Sequence, residues 1–180
     1  MAMAPSADER FRKIFDASRE DIQRYCFRRL PGEDANDATA EVYLVAWKRL
    51  SEIPDGTSTR LWLFGVARNV VRNQRRAAAR RAGLIHRLRG LAPQVTEFDP
   101  PVVRQAIDDR VAAALDALSA TDREILLLRS WEGLSAADIA CVVDLSVRAV
   151  ETRLSRTRRR LARALETERT DRPLRPRSAR

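Results

Sequence analysis

LSAADIACVVDLSVRAVETRLSRTRRRLARAL, residues 134–165, decides how this chain is to be read. Ser135 followed by Asp138 is an acidic form of the capping box and predicts a helix over Ala136 to Val143. Ile139, Ala140 and Val143 fall on one side of that helix at core spacing. Asp144-Leu145-Ser146 interrupts the pattern; Leu145 is placed to plug the angle between two helices and Ser146 to cap the second. In that second helix Val147, Val150, Leu154, Leu161 and Leu165 recur at helical spacing and are expected to face inward. Arg148, Thr152, Arg153, Arg156, Arg159 and Arg160 are left for the other sides. A short helix, a tight turn and a longer basic helix are the parts of a helix-turn-helix, whose second helix enters the DNA major groove. A plain amphipathic hairpin with a solvated basic face would show the same periodicity, so the rest of the chain has to discriminate.

Charge narrows the choice. The 180 residues carry a net charge of +9 with an isoelectric point near 10.9, which favours a polyanionic partner. The charge is also blocked: −1 over residues 1–60, +6 over 61–100, −4 over 101–146 and +8 over 147–180. Two basic blocks separated by an acidic one suit two footprints on one nucleic acid. Arginine supplies 32 of the 34 basic residues, a bias that a GC-rich genome also produces. No apolar run approaches the ~20 residues that cross a bilayer, and MAMAPSADERFRK lacks the apolar core of a signal peptide. A cytoplasmic location is expected.

The N-terminal half reads as three helices. Phe11, Phe15, Ile22, Cys26 and Leu30 make a stripe along the first, which Pro31-Gly32 ends. The second spans about Asp34 to Leu50 with Ala38, Val42, Val45 and Ala46 inward. Residues 51–58, with Pro54-Asp55-Gly56, form a polar loop, and the third helix starts near Thr59. Leu63, Val66, Ala67 and Val70 line its core face, leaving Arg68, Asn69, Arg72, Asn73, Arg75 and Arg76 on the remaining surface.

Past Arg81 the periodicity fades, and Gly83, Gly90, Pro93 and Pro100-Pro101 mark a linker. A second domain begins near Val102, its first helix carrying Ile107, Val111, Leu115 and Leu118. Thr121-Asp122-Arg123-Glu124 has the form of a full capping box for the next helix, which Trp131 completes before Glu132-Gly133 turns the chain. The expected plan is all-α. A helical domain spans residues 8–82, a flexible linker 83–101, a helix-turn-helix domain 102–168, and a basic, disordered tail 169–180. Cys26 and Cys141 lack zinc or redox spacing and read as small core residues; His86, the single histidine, reads as a surface residue.

Three segments together resemble a known family, the extracytoplasmic-function group of bacterial sigma factors, which keep only the second and fourth conserved regions. DANDATAEVYLVAWKRL (34–50) is similar to the helix that docks on the clamp of RNA polymerase core. LWLFGVARNVVRNQRR (61–76) resembles the Trp-Leu-x-x-Ile-Ala-x-Asn segment that reads the promoter minus-ten element. LSATDREILLLRSWEGLSAADIACVVDLSVRAVETRLSRTRRRL (118–161) resembles the region that reads the minus-thirty-five element.

The resemblance implies an alternative sigma factor that recruits core polymerase and opens promoter DNA. It implies no cofactor, no catalytic or metal site, and no membrane or small-molecule partner. Asp37, Glu41, Val42, Leu44 and Trp47 would dock on core, although Ala40 stands where the family has glutamine. Arg68, Asn69, Arg72, Asn73 and Arg76 would hold the opened minus-ten strand, beside a base-capturing loop at 51–60. Glu151, Thr152, Ser155 and Arg156 would face minus-thirty-five base edges, with Arg148, Arg153 and Arg159 toward phosphates. Glu151 stands where the family often has a basic residue, and glutamate can accept from cytosine N4. An anti-sigma factor is an expected partner. The alternative is a stand-alone helix-turn-helix regulator acting without core, which leaves residues 34–76 without a role. An enzyme acting on DNA would need clustered carboxylates; Asp108-Asp109 and Asp34/Asp37 sit at helix starts, where acids are favoured anyway.

Overall fold

The computed structural model describes residues 6–88 and 109–170. Among them the chain is all-helical apart from its turns. The order is α1 (Ala7–Phe27), α2 (Gly32–Lys48), a 3-10 turn (Leu50–Glu52), α3 (Thr57–Leu88), α4 (Asp109–Asp116), α5 (Ala120–Ser130), α6 (Ala136–Val143) and α7 (Val147–Thr170).

Local chemistry sets the boundaries. Ser6 opens α1 with a complete capping box: its Oγ accepts from Glu9 N–H at 3.2 Å and its own N–H donates to Glu9 Oε2 at 2.9 Å. Glu33 and Asp34 lie in the first turn of α2, where carboxylates complement the helix dipole. The inward face of α2 is built from small residues, Ala35, Ala38, Val42 and Ala46, so its neighbours α1 and α3 approach closely. The Arg10 guanidinium ties the loop before α3 to α1, donating to the Leu50 and Ile53 carbonyls at 2.6 Å each and to Asp55 at 2.9 Å. Gly56 turns the chain there with φ +70°, a conformation that favours glycine.

In the second half the capping differs from expectation at one place. Ser119, not Thr121, caps α5: its Oγ accepts from Asp122 N–H at 3.1 Å and donates to Asp122 Oδ2 at 2.8 Å. The rival box at Thr121 would need Glu124 at its third position, and Glu124 is engaged elsewhere. The Ser135–Asp138 box opens α6, left-handed Asp144 (φ 57°) ends it, and Ser146 Oγ accepts from Ala149 N–H at 3.2 Å to start α7. Val150 and Leu154 face inward, but Val147 is exposed in the first turn, before α7 reaches its neighbours. Thr157 takes the buried position one turn beyond Leu154. Cys26 is buried; Cys141, read as core, is on the outer side of α6.

The two helical halves read from the sequence are both present, and two features of their arrangement were not read from it. Helix α3 runs through Gly83 to Leu88, past the boundary placed at 82, because arginine and alanine carry it on. More consequentially, the halves pack on each other. Helix α6 lies against α3, and one hydrophobic core continues from Ile22, Phe64 and Val71 into Ile125, Leu128 and Ile139. Residues 89–108 and 171–180, which hold most of the expected linker and tail, lie outside the described residues.

Candidate nucleic-acid interface

Helix α3 buries Leu63, Phe64, Ala67, Val70 and Val71 and thereby turns Asn69, Arg72, Asn73 and Arg76 outward. Arg68 is half-buried at the edge of this surface. Arg72 Nη2 donates to Asn69 Oδ1 at 3.2 Å across one turn, which orients the amide and leaves its N–H groups for other acceptors. Arg75, placed by spacing on the same surface, belongs elsewhere: Nε and Nη2 donate to the Arg29 carbonyl at 3.3 and 2.8 Å, and burial lowers its pKa. It closes the C-terminal end of α1, where helix carbonyls lack partners.

The second basic surface is on α7. Arg148, Glu151, Thr152, Ser155, Arg156 and Arg159 are all exposed. Thr152, Ser155, Arg156, Arg159, Arg160 and Arg163 line one open groove along it. Arg153 is half-buried and already engaged: its Nη1 pairs with Asp122 Oδ1 at 2.8 Å. Burial raises the Asp122 pKa, but hydrogen bonds from Arg153 and Ser119 outweigh it, and the carboxyl stays below its ordinary value. Arg153 thus ties α7 to α5. Arg160 likewise reaches the Ala117 carbonyl at 3.4 Å.

On α2, Asp37, Glu41 and Leu44 form an exposed stripe at helical spacing, with Trp47 beside it. Leu44 is 52% and Trp47 44% exposed, while Val42 is 0% exposed on the opposite side. Val42 is therefore core and is not available for docking. Trp47 is held upright by Phe11, ring edge to face at 5.1 Å between centroids, so its exposed part is fixed in place.

Between the two halves lies a polar junction that spacing did not reveal. Arg29, 1% exposed at the end of α1, donates from Nε to Glu124 Oε2 at 3.0 Å and from Nη1 to Glu132 Oε1 at 3.1 Å. Tyr25 Oη donates to Glu124 Oε1 at 2.7 Å, and the Arg29 guanidinium stacks 3.5 Å from the centre of the Tyr25 ring. Arg28 pairs with Glu132 at 3.1 Å and lies over the Trp131 ring; Arg60 pairs with Asp21 at 2.7 Å and reaches the Glu132 carbonyl at 3.5 Å. The side chains of Glu124 and Glu132 are 14% and 4% exposed. Arg29, Glu124 and Glu132 read alone as surface charges; only their pairing across ninety-five or more residues makes them interior.

Burial raises the Glu124 pKa, but Arg29 and the Tyr25 hydroxyl lower it further than burial raises it. Asp21 and Asp122 are lowered as well. A depressed folded-state pKa contributes stability above the unfolded value and loses it as pH falls through the folded value. Tyr25 and Cys26 move the other way: burial lifts Tyr25 well above 10.0 and Cys26 from 9.0 to about 11, so stability is lost as pH rises past 9. Urea midpoints are therefore expected to form a plateau from about pH 5 to 9 and to fall on both sides. A maximum displaced outside that window would contradict these environments.

Comparison with known proteins places both surfaces in context. Residues 14–81 match the family described as Sigma-70 region 2, and residues 108–161 match Sigma-70, region 4. RNA polymerase sigma factor CnrH of Cupriavidus metallidurans is 28% identical over 147 residues, 77% of each chain. ECF RNA polymerase sigma factor SigL of Mycobacterium tuberculosis is 31% identical over 155 residues, 79% of this chain and 81% of that one. Among solved structures, sigma factor RpoE in complex with the anti-sigma factor NepR from Bartonella quintana superposes with a TM-score of 0.63. It has 22% identity and covers 90% of this chain and 98% of that one.

Proposed function

This chain belongs to the extracytoplasmic-function group of the sigma-70 family of RNA polymerase sigma factors, and from that premise we propose how its own residues divide the work. It is an alternative sigma factor acting in promoter recognition, with core polymerase and promoter DNA as its partners. The observation that carries the division is the pair of exposed basic helix faces, one in each matched region: Asn69 to Arg76 on α3 and Arg148 to Arg159 on α7. A stand-alone regulator would leave the first face and the α2 stripe without a task.

In this reading Asp37, Glu41, Leu44 and Trp47 dock the chain on core. Two apolar side chains flanked by carboxylates suit a basic and apolar partner surface. Asn69, Asn73, Arg68, Arg72 and Arg76 hold the separated minus-ten strand. The amides address bases and the guanidinium groups address phosphates, so strand binding offsets the cost of unpairing. On α7, Arg156, Ser155, Thr152 and Glu151 face base edges in the major groove, with Arg148 and Arg159 at phosphates. Arg153 supports this face from behind through Asp122. The chain contributes binding, not catalysis, and would act in the cytoplasm as region 2, linker and region 4. A regulator of anti-sigma type, such as the Bartonella sigma factor binds, would compete for the α2 stripe.

Run-off transcription with purified core on a promoter library tests the reading. Start sites appearing only with this chain support it; unchanged initiation with no association to core would end it. One residue-level outcome follows for α7. Arg156→Ala is expected to cost about 1–3 kcal/mol and relax preference at one base pair. Arg148→Ala should weaken all duplexes alike and reduce the salt slope by about one. Measuring both variants on matched and mismatched duplexes over a salt series separates these roles.

A further inference from the structure

We propose that Glu151 and Val147 set the base preference of α7: Glu151 selects a cytosine by its N4 amino group, and Val147 selects a thymine by its 5-methyl group on a neighbouring base pair. The inference deepens the reading of α7 as the minus-thirty-five helix and rests on it. Both residues are exposed in the first two turns of α7, Val147 at 42%. They are four positions apart and so share one face of the helix. The N-terminal residues of a recognition helix are the ones that meet base edges in the major groove.

Neither residue belongs on a face built only to hold phosphates. Glu151 is the single acid in residues 147–160, which carry six arginines. It is the fifth residue of α7, beyond the first turn in which a carboxylate complements the helix dipole. Arg148 lies one turn before it, an order less favourable for pairing than acid before base. Among the described residues Glu151 makes no hydrogen bond or ion pair, and it opens onto a groove beside Ser155 and Arg159. Val147 is one of three large apolar side chains exposed among the described residues. The other two, Leu44 and Trp47, lie on α2, so Val147 has an apolar contact to find on α7 by itself.

The chemistry of the base edges decides what these groups select. A carboxylate only accepts hydrogen bonds, and in a groove walled by phosphates it is repelled unless a donor meets it. In the major groove the donors are cytosine N4 and adenine N6. Adenine sets its N7 acceptor beside N6, so a carboxylate there faces a second lone pair; the edge of cytosine carries the donor alone. Cytosine therefore suits Glu151. A branched aliphatic group offers no hydrogen bond, and the thymine methyl is the apolar feature that marks one base edge from the others. Four residues of helix rise about 6 Å, against about 3.4 Å per base-pair step, which places the thymine one or two pairs from the cytosine.

The test uses holoenzyme, core plus the full chain, selected on promoters randomised across the minus-thirty-five element. Wild type is expected to enrich a cytosine with a thymine one or two pairs away. Glu151→Gln should exchange the cytosine for adenine by roughly tenfold, since an amide matches the adenine N7 and N6 together. Val147→Ser should lose the thymine. Deoxyuridine, which lacks only the methyl group, should weaken wild type about three- to fourfold at that position, the worth of one buried methyl, and leave Val147→Ser unchanged. Both side chains are exposed, so the variants should melt with wild type. An element that keeps its cytosine in Glu151→Gln overturns the assignment, as does a deoxyuridine penalty equal in wild type and Val147→Ser. A Glu151→Gln chain altered only in its affinity for core overturns it too. Holoenzyme that binds the library without enriching any element would end the reading of α7 itself, a failure distinct from these.

Discussion

Replacing Leu44 by lysine together with Trp47 by alanine is expected to weaken association with core polymerase by two to three orders of magnitude. Both side chains are half-exposed on one helix, and Trp47 is braced by Phe11, so little ordering entropy is lost when a partner covers it. Preorganised aromatic anchors at the centre of a contact typically cost about 2–4 kcal/mol when truncated. The added lysine opposes the basic surface that Asp37 and Glu41 suit. Since neither side chain is core, thermal stability should fall by no more than about 1 kcal/mol, mostly from the lost Phe11 contact. Titration of labelled core with wild type and the double variant, beside thermal melts, gives the answer. Affinity within threefold of wild type would remove α2 from the docking role. Val42→Ala is the contrasting control: it should lower stability and leave docking unchanged, because Val42 is buried in the core.

The second large effect concerns Arg29. Arg29→Ala leaves Glu124 and Glu132 facing a buried space with their principal cation gone, a change that costs about 3–5 kcal/mol in comparable buried pairs. Replacing the whole cluster at once, Arg29→Met with Glu124→Leu and Glu132→Leu, should cost far less, since no charge is then stranded. If the halves can separate, the Arg29→Ala chain sheds part of its penalty by opening. Urea unfolding would then lose cooperativity, with a smaller slope or two transitions. A single, equally steep transition shifted by less than about 1 kcal/mol would show that the cluster matters little. The triple variant discriminates further: a loss as large as that of Arg29→Ala would mean that packing, not charge, holds the junction.

The parts of the site that were legible in sequence are those whose signal is local. The basic faces of α3 and α7 emerged because apolar residues at helical spacing assign the opposite side by exclusion, and burial of Val70, Val150 and Leu154 follows that assignment. The Ser135–Asp138 box and the Asp144-Leu145-Ser146 turn were legible for the same reason: each satisfies its backbone groups within a few residues. Errors arose where a local pattern had a competitor. Thr121–Glu124 and Ser119–Asp122 are both capping candidates, and Glu124 is withdrawn from the first by Arg29. Val42 satisfied the stripe of α2 and its core alike, and the packing of the neighbouring helices on α2 decided for core. Arg75 and Arg153 look like their exposed neighbours in sequence, but the Arg29 carbonyl in the turn after α1 and the Asp122 carboxylate on α5 claim them.

Sequence alone determined that this chain is helical, that it ends in a helix-turn-helix, and that two basic faces lie in two successive segments. Those properties depend on backbone hydrogen bonding and apolar periodicity, which act over a few residues. Tertiary structure alone decided which charges face solvent, which helix is braced by which, and that the two halves meet around Arg29. Those outcomes depend on the desolvation of groups some ninety-five or more residues apart, and no spacing rule encodes such a meeting.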